Sequence, residues 1–135
     1  MTQSILRVLV VEDSNLVGSR LSELVNSTPG MQVSSIVVTE ANAVHEIRAT
    51  TPDVVVLDLA LKEGTGFGVL RSLGAGPRVP VIIVMTNYAL PQYRTEAIHL
   101  GAKFFLDKSN EFDELPRILS RLCTSRQMVG PDGRP

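Results

Sequence analysis

Five polar residues stand where apolar runs end. Glu12 and Asp13 follow the first run, Asp58 the third, Thr86 the fourth and Lys108 the fifth. If the runs are strands of one sheet, these side chains converge although they are far apart in sequence, because ligands of open α/β sheets bind at the carboxyl ends of the strands. Three carboxylates in one crevice repel each other unless a cation lies among them, and an all-oxygen donor set suits Mg²⁺. Lys108 adds a fixed positive charge. A carboxylate beside a divalent ion and a lysine is suited to accept a phosphoryl group, since that transfer needs charge neutralisation and alignment more than acid or base chemistry. Asp58 is the candidate nucleophile, because it ends the most hydrophobic run and precedes an irregular glycine-containing stretch, Lys62 to Gly68.

The elements that must position these residues are legible as alternating patterns. Val8 to Val11, Val33 to Val38, Val54 to Leu57, Val81 to Val84 and the weaker Phe104 to Leu106 read as strands. Continuous apolar runs of this length are expected where a parallel sheet is covered on both faces. Between them Val17, Leu21, Leu24 and Val25 form one helical stripe, Ala43, Val44 and Ile47 another, and Leu115, Ile118, Leu119 and Leu122 a third. Ser14 or Asp13 can cap the first helix, Pro29-Gly30 closes it, and Pro91 suits the first turn of a later one. Pro116 is awkward for a helix starting at Asn110, so the last helix is expected to begin nearer Phe112 or Asp113. Strand and helix alternation implies an α/β, doubly wound architecture with right-handed crossovers.

Composition narrows the classes. The 135 residues suit one domain, and 44% apolar with 20% charged residues suits a folded core. A net charge of −1 argues against a broad nucleic-acid footprint. Cys123 has no partner for an intrachain disulfide, and the only apolar run near the N-terminus is interrupted by Arg7 and is too short for a span. A cytoplasmic protein is expected. Gly64, Gly66 and Gly68 do not follow a strand at the offset of a nucleotide-binding turn, so no nucleotide cofactor is implied. His45 and His99 lack an acidic or Cys partner at ligand spacing, and Tyr88 and Tyr93, just after Thr86, are open to packing or to gating of Asp58.

Glu12-Asp13, Asp58 in Val-Val-Val-Leu-Asp-Leu, Gly66 and Leu70 downstream, Thr86 after Val-Ile-Ile-Val-Met, Gly101-Ala102 and Lys108 together resemble bacterial response-regulator receiver domains over residues 5 to about 124. The resemblance implies a CheY-like (βα)5 fold with strand order 2-1-3-4-5. It implies that Asp58 is the phosphoacceptor, that Asp13 binds Mg²⁺ directly, that Glu12 acts through water, and that the backbone carbonyl of Ala60 is a further ligand. Lys108 would bind a phosphoryl oxygen, Thr86 would be the switch hydroxyl and Phe105 the aromatic switch. The implied donor is a sensor histidine kinase or a phosphotransfer protein. The responsive surface would include parts of Pro91 to Leu100, Phe104 and Glu111 to Leu122, acting on a protein partner from a monomer or a phosphorylation-dependent dimer. Residues 125–135 are expected to form a disordered tail.

Two positions depart from the family pattern. Lys108 is followed by Ser109 rather than proline, and a cis bond without proline costs about 3–4 kcal/mol, so a trans peptide is expected there. Phe105 replaces the commoner tyrosine. Two rival classes remain. A Mg²⁺-dependent phosphohydrolase with an aspartyl-phosphate intermediate would need a second acid two residues after Asp58, where Ala60 stands. A receiver-like module that only binds partners would not need the acidic set.

Overall fold

A computed structural model describes residues 5–74 and 79–128, with side chains described to Thr124. Five strands, β1 (Leu6–Val11), β2 (Met31–Val37), β3 (Val54–Leu57), β4 (Val81–Thr86) and β5 (Phe104–Asp107), alternate with α1 (Asn15–Ser27), α2 (Glu40–Thr50), α3 (Gly66–Leu73), α4 (Pro91–His99) and α5 (Glu114–Met128). All pairs are parallel and the order is β2-β1-β3-β4-β5, the arrangement expected from the resemblance.

Because side chains alternate across a strand, each unbroken apolar run feeds two cores. Val8, Val10, Val54, Val56, Ile83 and Met85 pack with Leu21, Val25, Leu115 and Leu119 of α1 and α5. Their neighbours Leu9, Val11, Val55, Leu57, Ile82 and Val84 pack with Ala43, Ile47, Val69, Leu70 and Ala97 of α2, α3 and α4. Each fully buried Val or Leu contributes about 1.5–3 kcal/mol. The edge strand β2 differs from expectation: its burial alternates, with Gln32, Ser34 and Ile36 exposed. An edge strand has fewer covering neighbours, and a register shift between Val8 and Leu9 further loosens its pairing.

Local signals set the helix ends. Ser14 is the N-cap of α1, accepting from the Val17 N–H at 3.2 Å. Thr39 and Thr65 cap α2 and α3 in the same way. Pro91 opens α4. Pro116 is the third residue of α5, which starts one or two residues later than expected, so its missing N–H falls among donors that have no partner within the helix. Two expectations are corrected. The stretch 62–68 is only partly irregular, since α3 begins at Gly66. Helix α5 runs to Met128 and takes in residues 125–128 of the expected tail; residues 129–135 lie outside the described residues. Among the described residues no peptide bond is cis, so Lys108–Ser109 is trans, and no helix is long and apolar enough to cross a membrane.

Candidate functional site

Strand register brings the polar residues to one level. The Asp58 N–H donates to the Val11 carbonyl at 3.0 Å, the Glu12 N–H to the Val37 carbonyl at 2.9 Å, and the Lys108 N–H to the Thr86 carbonyl at 3.0 Å. Each strand end is thus tied to its neighbour one residue past the sheet. One carboxylate oxygen from each of Glu12, Asp13 and Asp58 lies within 4.8 Å of the others.

Lys108 closes this cluster. Its Nζ donates to Asp58 Oδ2 at 2.6 Å and also to Glu12 Oε1. The lysine side chain is 8% exposed and Glu12 only 2%. Burial pushes the Glu12 carboxyl above its ordinary value, although the hydrogen bonds from Lys108 and from the Ser14 N–H oppose that shift. For Lys108, burial disfavours the charge, but the hydrogen bonds to Asp58 and Glu12 outweigh it and raise the pKa. The lysine therefore stays cationic and offsets only part of the acidic charge. Asp13, at the mouth of the crevice, is exposed.

The donor set fits a small divalent ion. Mg²⁺ takes oxygen ligands and keeps several waters, and the three carboxylates offer oxygens within 4.8 Å of one another. Ala60 lies on the same loop, and its N–H donates to Asp58 Oδ1 at 3.3 Å.

Residues 8–120 match the response regulator receiver domain. The chain belongs to that family. This receiver is 25% identical over 127 residues to the uncharacterized transcriptional regulatory protein YvfU of Bacillus subtilis, covering 94% of this chain and 64% of that protein. It is 29% identical over 140 residues to a protein-glutamate methylesterase/protein-glutamine glutaminase of Cereibacter sphaeroides, covering 96% of this chain and 38% of the other. The chain therefore spans less than two thirds of these curated relatives. Among solved structures it resembles the receiver domain of the sensor histidine kinase PA1611 from Pseudomonas aeruginosa. The TM-score is 0.76 and the identity 27%, with 90% of this chain and 100% of that one covered. In that structure a magnesium ion is coordinated in the active site cleft.

The remaining sequence candidates of the receiver fall into two groups. Thr86 is fully buried at the end of β4, and its Oγ1 accepts from the Tyr88 N–H at 3.0 Å. The hydroxyl proton is a separate donor. Phe105 faces inward, 3% exposed, among the residues packed under α4. Tyr93 packs edge-on against Phe67, with ring centres 5.7 Å apart, while Tyr88 is 56% exposed. His45 and His99 are exposed on their helices. Phe104 is only half-buried, against the other core.

Two residues were not singled out from sequence. Arg94 of α4 lies over the Phe105 ring, and the Glu40 carboxylate accepts from the Thr65 N–H at 2.9 Å. Glu40 carries one readable sign, an acid in the first turn of a helix after a Thr cap, but its partner lies 25 residues away.

Proposed function

We propose that this receiver is a phosphorylation-controlled signalling module in which Asp58 accepts a phosphoryl group from a histidine kinase or a histidine phosphotransfer protein. The observation that carries the reading is the strand-end cluster, in which Asp58 lies 2.6 Å from Lys108 Nζ with the Glu12 and Asp13 carboxylates beside it. In this reading Glu12, Asp13, Asp58 and the Ala60 carbonyl hold Mg²⁺. The bound ion supplies charge neutralisation for the phosphoryl oxygens.

An Asp58 carboxylate oxygen attacks phosphorus while the phosphorus–nitrogen bond of the donor phosphohistidine breaks. The bonding pair returns to the imidazole, and the product is an acyl phosphate on Asp58. Before transfer Lys108 holds the acceptor carboxylate; afterwards its ammonium binds a phosphoryl oxygen, since the carboxylate has given up its charge. The Thr86 hydroxyl donates to another phosphoryl oxygen, and its movement couples to Phe105. The chain's own chemistry is limited to its phosphorylation and the later hydrolysis of that bond. It acts in the cytoplasm on a protein partner through α4, β5 and α5, as a monomer or a phosphorylation-dependent dimer, and a coupling of about 1–3 kcal/mol suffices to shift partner occupancy several-fold or more.

Intact-mass spectrometry after incubation with Mg²⁺ and acetyl phosphate tests the assignment. A single phosphoryl adduct is expected, absent without Mg²⁺ and absent in Asp58→Ala. An adduct that persists in Asp58→Ala would assign the acceptor elsewhere. No adduct on the folded wild-type chain, with a kinase also failing, would reduce the domain to a partner-binding module.

A further inference from the structure

The loop from Asp58 to Thr65 carries Ala60, and its shape depends on what holds its far end. Internally, the Gly66 N–H donates to the Leu59 carbonyl at 2.9 Å, and Ala60 pairs with Thr65 as an antiparallel bridge. From the β2 side, the Lys62 N–H donates to the Val38 carbonyl at 3.1 Å, and the Glu40 N–H to the Glu63 carbonyl at 2.9 Å. The Glu40 side chain completes the grip: Oε1 accepts from the Thr65 N–H. Glu40 thus holds the loop at Glu63 through its backbone and at Thr65 through its carboxylate.

The surrounding sequence makes room for that carboxylate. A Cβ at Gly64, whose φ is +84°, would collide with the Glu40 side chain, and a Cβ at Gly68 would collide with its carboxylate group. Thr65 is both the N-cap of α3 and the partner of Ala60. The carboxylate therefore lies at the positive end of α3, where a negative charge is favoured.

We infer that Glu40 is a positioning residue for the acidic site, fixing Thr65 and, through the Thr65–Ala60 pairing, the backbone of Ala60 beside Asp58. The inference rests on the reading of the Ala60 carbonyl as a metal ligand. Glu40 itself touches neither the metal nor the phosphoryl group. Its effect comes from the reach of its side chain, with its charge secondary.

Two conservative variants of the full chain separate reach from charge. Glu40→Gln keeps an acceptor oxygen at the same distance and loses the charge; Glu40→Asp keeps the charge and falls one methylene short. Mg²⁺ affinity is measured by amide shifts during titration with the metal alone, and hydrogen exchange of the Thr65 N–H is measured without metal. Glu40→Asp is expected to weaken Mg²⁺ binding about tenfold, as loss of an outer-shell partner typically does, and to accelerate exchange at Thr65 but not at Val55 or Val56. Glu40→Gln is expected to stay close to wild type in both. Weakening by Glu40→Gln with Glu40→Asp left close to wild type would overturn the inference in favour of a long-range charge effect. Unchanged affinity in Glu40→Asp with faster exchange at Thr65 would overturn it too, by showing that the loop's position does not reach the site. If wild type itself binds no Mg²⁺, the metal reading fails first and takes this inference with it.

Discussion

The guanidinium carbon of Arg94 lies 4.9 Å from the centre of the Phe105 ring. The same guanidinium reaches the Glu111 carboxylate at 3.8 Å, and Glu111 Oε1 accepts from the Asp107 N–H at 3.0 Å. One cation therefore connects α4, the buried ring on β5 and the turn before α5. Phenylalanine offers no hydroxyl for a hydrogen bond, so the inward ring is covered by a charge over its face, an arrangement favoured by the ring quadrupole.

Removing the cation should loosen the ring without opening the core. The Arg94 side chain is 52% exposed, which puts the expected loss for Arg94→Ala at about 0.5–1 kcal/mol, the range of exposed cation–π pairs. Urea unfolding measures it. A double-mutant cycle with Phe105→Leu should recover most of that loss as coupling energy, and strictly additive effects would mean that Arg94 and the ring are independent.

Much of this architecture is legible in the sequence because buried parallel strands leave a plain signature. Val54 to Leu57 and Val81 to Val84 are apolar without interruption, and the residues that follow them, Asp58 and, two further on, Thr86, arrive at the crevice. The third helix is not legible. Gly64, Gly66 and Gly68 read as loop residues, whereas Gly66 and Gly68 lie in the first turn of α3 at points of close approach. Arg94 and Glu40 escape for another reason: each acts on a partner 11 or more residues away, Phe105 or Thr65, and no periodicity links such pairs. The alternating burial of β2 follows from its place at the edge, which the resemblance implies and the run of Val33 to Val38 does not.

Gly66 sets how closely α3 approaches the acceptor strand. A Cβ there would collide with the Asp58 carbonyl oxygen and crowd the Leu59 Cα. Both are backbone atoms and cannot rotate aside. Gly66→Ala is expected to cost about 1–3 kcal/mol, the usual range for overpacking, and to weaken Mg²⁺ binding because the strain falls on Asp58 itself. Chemical denaturation and metal titration of the same variant check both effects.

Mg²⁺ should stabilise the folded chain by mass action. At a hundred times its dissociation constant the gain is about 2.7 kcal/mol, visible as a rise in thermal midpoint. Asp13 is the exposed member of the cluster and Lys108 is paired with the other two acids. Asp13→Asn should therefore leave the metal-free midpoint nearly unchanged and abolish most of the metal-dependent rise. A full rise in Asp13→Asn would remove Asp13 from the ligand set.

The turn after β5 supplies a pH test of the family departure at Ser109. The Asp107 carboxylate accepts from the Ser109 hydroxyl at 2.5 Å and from the Ser109 N–H at 2.9 Å, and its other oxygen accepts from Asn110 Nδ2 at 3.2 Å. The hydroxyl, then the backbone N–H, hold its pKa below the ordinary 3.8, with Asn110 adding to them. A depressed carboxyl stabilises the fold above the unfolded value, and that contribution is lost as pH falls through the lower folded value. Carbon NMR of the Asp107 carboxyl should find its midpoint below 3.8. Ser109→Ala removes the hydroxyl and keeps the N–H, so the midpoint should move part of the way back. Ser109→Pro restores the commoner residue of the family and removes both donors, leaving only Asn110, so it should move further. If neither variant shifts the midpoint, the serine does not hold this turn, and another contact fixes the approach of Lys108 to Asp58.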